Sequence, residues 1–183
     1  MRTSWMPAGA GMTNLNRLLP AALGLTLLLA ASPAPADVQG RVVSVHDGDT
    51  LTVLIERRPV RVRLIDIDAP ELRQPFGTRS RQSLSGLCFG KVASLDVRGH
   101  DRYNRTLARV TCGGADANAE QVRRGFAWTF ARYARTDSPL FTIEREARAA
   151  HRGLWQDSAP VAPWEWRNRV RQSSRVSGSR AGF

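Results

Sequence analysis

Cysteine, histidine and lysine are scarce in this chain of 183 residues, with 2 cysteines and 3 histidines. Cys88 and Cys112, with His46, His100 and His151 scattered along the chain, lack the spacing of zinc ligands. The histidines read as surface or turn residues. None stands beside a serine in a nucleophile motif, which argues against a Ser–His hydrolase. Long apolar runs are also missing. Residues 18–30 form a short apolar stretch, too short for a confident membrane span. Lysine is nearly absent, so the basic charge is arginine apart from Lys91.

The short apolar stretch fits a secretory leader instead. Arg2 and Arg17 supply positive charge before it, and Ala34-Pro35-Ala36 is an A-x-A cleavage pattern. Residues 1–36 are therefore expected to be a signal peptide, with an uncleaved anchor as the alternative and Met12 as an alternative start. Loss of Arg2 and Arg17 with the leader would leave 25 of the 27 basic residues against all 16 acidic ones, a net charge of +9. A small, strongly basic domain suits a polyanionic partner, and nucleic acid is the default. Arginine matches phosphate through its bidentate fork, although solvated charge and a coding bias for arginine would give the same composition.

The chemistry concentrates in residues 42–71. Asp47-Gly48-Asp49 is a turn signal followed by the β-prone Thr50-Leu51-Thr52-Val53-Leu54. Residues 60–65 alternate apolar and polar, as in a half-buried strand, and run into Asp66, Asp68 and Glu71. Carboxylates so close together repel one another, and a hard cation that takes oxygen ligands removes that cost; Ca²⁺ is the commonest candidate. Arg63 lies five residues before Asp68, near enough to share the site.

These pieces, Asp47-Gly48-Asp49-Thr50, Arg63-Leu64 and Asp68-Ala69-Pro70-Glu71, together with residues 101–108 around Tyr103 and Arg105, resemble the thermonucleases of the staphylococcal-nuclease family. The resemblance runs from about Val38 to about Trp155. It implies Ca²⁺ held by Asp49 and Asp68 and by the backbone carbonyl of Ala69, where the family has threonine, with Asp47 nearby. It further implies Glu71 as general base, and Arg63 and Arg105 as phosphate clamps. Arg102 and Tyr103 match nucleotide-contacting positions, and Tyr133 matches one of two base-pocket tyrosines. The other falls on Ala131. Trp128 and Phe130 are alternatives for stacking, but core packing is the preferred reading for both.

Strands are expected over about 38–46, 50–57, 59–65, 91–97 and 107–112, and helices over about 78–87 and 118–124 and after Ser138-Pro139. Five strands with about three packed helices predict an α+β, mainly β, fold built on a five-stranded barrel; the resemblance implies the OB type. If the last two strands pair antiparallel, Cys112 falls beside Lys91 or its neighbour, close to Cys88. A disulfide then forms in an oxidising compartment; otherwise both are small buried apolar residues. The domain should occupy residues 37–157. In 158–183, Trp164 and Trp166 are expected to dock on it, and the Arg/Ser/Gly-rich end from Arg167 is expected to be disordered.

The resulting expectation is a secreted or periplasmic, Ca²⁺-dependent nuclease acting on DNA and RNA, preferably single-stranded, as a monomer without a stable protein partner. The alternatives are a non-catalytic OB-fold module that binds single strands, or a domain whose acidic cluster holds Ca²⁺ for stability alone.

Overall fold

The computed structural model describes residues 38–180, and the side chains of residues 38–174. The expected leader lies outside the described residues. Among those residues no helix is long and apolar enough to cross a membrane. The chain order is β1 (Val38–Val45), β2 (Thr50–Ile55), β3 (Arg58–Leu64), β4 (Ile67–Asp68), α1 (Gly77–Cys88), β5 (Val92–His100), β6 (Thr106–Cys112), β7 (Ala115–Asp116), α2 (Ala117–Arg123), β8 (Trp128–Thr129), α3 (Leu140–Ala149), a 3₁₀ turn (Gly153–Gln156) and α4 (Pro163–Arg180).

Strands β1, β2 and β3 form an antiparallel meander, with Val45 opposite Leu51 and Thr50 opposite Arg63. β5 adds to β1 and β6 to β5, both antiparallel. A parallel pairing of β3 with β6, Val62 opposite Thr106 and Leu64 opposite Ala108, closes the sheet into a five-stranded barrel of the OB type. Closure satisfies the two edges that an open sheet leaves unpaired. Its interior follows the two-residue period of the strands: along β6, Thr106, Ala108, Val110 and Cys112 are buried in alternation. Ala108, Val110 and Cys112 meet Leu51, Val53, Val62, Leu64 and Leu95 in one core.

The helices cover the barrel for sequence reasons. Along α3, Leu140, Glu144 and Ala147 recur at helical spacing and form its buried face. α2 starts where the Asp116 carboxylate accepts the backbone N–H of Ala119 at 3.1 Å, an ordinary N-cap. The fourth helix departs from expectation. Residues from Arg167 onward continue α4 as far as Arg180 rather than forming disordered tail. Pro163 is preorganised for the first turn, Trp164 stacks on Phe130 with centroids 5.3 Å apart, and Arg167 reaches an ion-pair network. Composition weighs a segment by its own apolar content, so a helix held by one ring and one guanidinium escapes it.

Cys88 at the end of α1 and Cys112 at the end of β6 form a disulfide, Cα atoms 5.2 Å apart. Cys112 lies opposite Ala93, two residues from the expected Lys91. The bond closes a loop of 24 residues that carries β5 and most of β6. The Cys88→Ser/Cys112→Ser variant is expected to lose about 3 kcal/mol, lowering the melting temperature by on the order of 10 °C. Thermal unfolding with and without reductant checks this. Equal melting temperatures for the two proteins without reductant would exclude the bond as a stabiliser.

Candidate active site

An open cleft of about 1740 Å³ runs across the barrel where β3 ends. The residues expected to bind metal, phosphate or nucleotide all border it: Asp47, Asp49, Arg63, Asp68, Ala69 and Glu71 from the strand ends, Arg102, Tyr103 and Arg105 from the β5–β6 loop, and Tyr133 beyond β8.

The 47–49 turn owes its place to packing. A Cβ on Gly48 would lie 1.8 Å from the Ser80 hydroxyl oxygen and 2.7 Å from the Ala69 Cβ, so glycine lets the turn lie against α1 and the chain after β4. Gln121 of α2, fully buried, donates to the Gly48 carbonyl at 2.7 Å and to the Ser80 carbonyl at 3.1 Å. Asn118, one turn earlier on α2, accepts from Val110 N–H and donates to the Ile65 carbonyl. These two amides join α2 to the turn and to the end of β3. Nothing in their local sequence separates them from ordinary helix residues.

Asp49 and Asp68 are both buried, Asp68 at 1% exposure. Arg63 bridges them: one guanidinium nitrogen lies 3.0 Å from Asp49 Oδ2 and another 3.0 Å from Asp68 Oδ1. The register of β2 and β3 sets this up, because Thr50 lies opposite Arg63 and brings Asp49 alongside. Asp49 also accepts the Thr50 hydroxyl at 3.0 Å and the Ala69 N–H at 2.8 Å. The Asp49 N–H donates to Asp47 Oδ1 at 3.0 Å. Burial, and next the charge of Asp49, push the Asp47 carboxyl from an ordinary 3.8 up to about 7. Burial likewise raises Asp68, against the opposing pull of Arg167 and Arg63. The cluster thus carries more negative charge than its surroundings comfortably hold. An all-oxygen, carboxylate-rich donor set of this kind fits a hard cation such as Ca²⁺. Among the described residues, no three His, Cys, Asp or Glu side chains already converge as a closed cage.

Glu71 follows Pro70 in a tight turn, its carbonyl accepting Gln74 N–H at 2.8 Å and its own N–H donating to Gln74 Oε1 at 3.2 Å. Arg105 is held by Asp101, with Nε 2.8 Å and Nη2 2.7 Å from Asp101 Oδ2. Asp101 Oδ1 also accepts the N–H groups of Tyr103 and Arg105, so one carboxylate shapes the loop and aims the arginine. Tyr103 is 67% exposed, with the guanidinium groups of Arg102 and Arg105 over its ring at 5.0 and 5.7 Å.

Tyr133 is 68% exposed and meets Phe130 edge-on at 5.0 Å. Trp128 is buried against Trp155, as expected of a core residue. Phe130 differs from its expected core role, because it borders the cleft between Tyr133 and Trp164. Trp164 and Arg167, both from α4, complete that wall and stand outside the motifs read from the sequence. Arg167 Nη2 lies 2.7 Å from Asp68 Oδ2 and its Nη1 2.8 Å from Glu71 Oε1. Burial works against the charge on Arg167, but these hydrogen bonds more than offset it and raise its pKa.

Acidic strand ends bridged by arginine beside a basic, aromatic rim define a barrel nuclease of one particular family. The profile described as Staphylococcal nuclease homologue matches residues 61–157, and the chain belongs to that family. It is 44% identical over 160 residues to Protein ParB of Escherichia coli, covering 82% of this chain and 90% of that protein. Against the Micrococcal nuclease of Shigella flexneri it is 42% identical over 159 residues, covering 81% and 91%. An Uncharacterized endonuclease of Haemophilus influenzae is 39% identical over 157 residues, covering 85% and 87%.

Proposed function

We propose that this nuclease hydrolyses phosphodiester bonds of DNA and RNA by attack of water, with Glu71 taking the proton and Arg63 and Arg105 stabilising charge on the phosphate. The single observation that carries the reading is the meeting of Asp49, Asp68 and Glu71 with Arg63 and Arg105 in one cleft. A nucleophile approaches a phosphodiester slowly because the group is anionic. Donors for the equatorial oxygens and a base for the water are the means of lowering that barrier. Asp49 and Asp68, with Asp47 and the Ala69 carbonyl beside them, are the groups that would hold Ca²⁺. When bound, the ion would neutralise phosphate charge and polarise the scissile phosphate. Tyr103, Tyr133 and Arg102 would contact the nucleotide, and an open cleft rimmed by exposed rings favours unpaired strands. The same chain is proposed to act as a monomer outside the cytoplasm; its disulfide suits an oxidising compartment.

Incubation of the purified protein with denatured DNA, in Ca²⁺ or in chelator, tests the reading. Cleavage in Ca²⁺ alone is expected. Strand binding without cleavage in either condition would turn the assignment to a binding module. Cleavage in chelator would remove the ion from the reaction.

A further inference from the structure

Arg167 sits among the very groups assigned above to cation binding and proton transfer. Its Nη2 lies 2.7 Å from Asp68 Oδ2, and its Nη1 lies 3.3 Å from Asp68 Oδ1 and 2.8 Å from Glu71 Oε1. Arg63 takes the remaining approach to Asp68 Oδ1 at 3.0 Å. Both oxygens of Asp68 are therefore engaged by guanidinium groups, and Glu71 carries one as well. We propose that Arg167 is an internal competitor of the divalent cation: it neutralises Asp68 and Glu71 in the cation-free enzyme, and a cation that takes Asp68 must displace it. The inference rests on the reading of Asp49 and Asp68 as cation ligands.

The charge count explains why such a group is there. A carboxylate as buried as Asp68 needs a compensating charge. Arg63 is shared with Asp49 and supplies one positive charge to two carboxylates. Arg167 brings the second, shared between Asp68 and Glu71. Once a divalent cation is present, the same guanidinium contends with it for the same oxygen, and two positive centres within a few ångströms repel. The two occupants are mutually exclusive at Asp68 Oδ2.

The helix is built to permit the exchange. Its first turn is anchored by the Trp164–Phe130 stack and by buried Ala162, and Gln74 Nε2 donates to the Val161 carbonyl at 2.5 Å. Residues 168–174 are exposed, so among the described side chains α4 is fastened through its N-terminal part. Arg167 is half-buried on a long stem that can swing without moving that anchor. Asn168 and Arg171 border the same open cleft, into which the released guanidinium would move.

Competition is reciprocal, so removing Arg167 must tighten cation binding. Calorimetric titration of wild type, Arg167→Gln and Arg167→Lys with Ca²⁺ reads this without turnover. Arg167→Gln is expected to bind Ca²⁺ on the order of tenfold more tightly, with Arg167→Lys, which keeps the charge but loses the fork, in between. Ca²⁺ is also expected to raise the melting temperature of Arg167→Gln more than that of wild type, because only the variant lacks a substitute charge when the ion is absent. Equal or weaker Ca²⁺ affinity in Arg167→Gln, in a wild type that binds Ca²⁺ and cleaves denatured DNA, overturns the competitor role and leaves the functional reading standing. No Ca²⁺ binding by any of the three proteins overturns both this inference and the cation assignment.

Discussion

Glu71→Gln is expected to lower the rate of phosphodiester hydrolysis on the order of 10²-fold or more at neutral pH. The substitution keeps the shape of the side chain and an oxygen that accepts from Arg167, now 2.8 Å from Glu71 Oε1. It removes the capacity to take a proton from water. The turn that presents residue 71 is made by backbone contacts with Gln74 and by Pro70, none of which involves the carboxylate. Strand binding should therefore change little, and the loss should fall on the rate at saturating substrate. Hydrolysis of denatured DNA at several concentrations separates the two. A variant within threefold of wild type would assign the base elsewhere.

Arg63→Ala is expected to cost about 3 kcal/mol of stability as well as activity, which distinguishes Arg63 from Arg105. Arg63 is 14% exposed and joins two carboxylates that are more buried still. Without it Asp49 keeps only neutral donors, the Thr50 hydroxyl and the Ala69 N–H, while Asp68 retains Arg167. Arg105 is paired with Asp101 in an accessible loop, so its loss should be felt in activity far more than in folding. The sign with pH follows. Burial already raises the folded-state pKa of Asp68, and losing Arg63 raises it further. The part of the deficit that Asp68 carries is thus fully present above its folded-state pKa and shrinks as pH falls through it and Asp68 protonates. Chemical denaturation at pH 8 and at pH 5 measures it, with Asp49→Asn added to Arg63→Ala expected to recover part of the loss. A deficit below about 0.5 kcal/mol at pH 8 would show that Arg63 does not hold the cluster.

Local signals in the chain determined the strands of the barrel and most of the residues of the cleft. Alternating apolar residues in 60–65 and 107–112 carry the strand period, and Asp47-Gly48-Asp49, Asp68-Ala69-Pro70-Glu71 and the loop to Arg105 lie at strand ends, where a period breaks off. Such features are written in contiguous residues, so they can be read before any contact is known. Closure of β3 on β6, which brings Arg63 beside Leu107, is a pairing across more than forty positions and is decided only by the folded sheet. The same holds for the 121-to-48 amide contact that steadies the acidic turn, and for Phe130, whose place on the cleft wall depends on Trp164 arriving from α4. Arg167 is the clearest case. In sequence it opens a polar, arginine-rich segment with too few apolar residues to fold by itself. In the structure it lies 99 positions from Asp68 along the chain and 2.7 Å from it in space. Helix propensity and apolar content are summed locally, whereas α4 is held by a ring stack and by one guanidinium paired with two carboxylates, on a surface that the rest of the chain must first build.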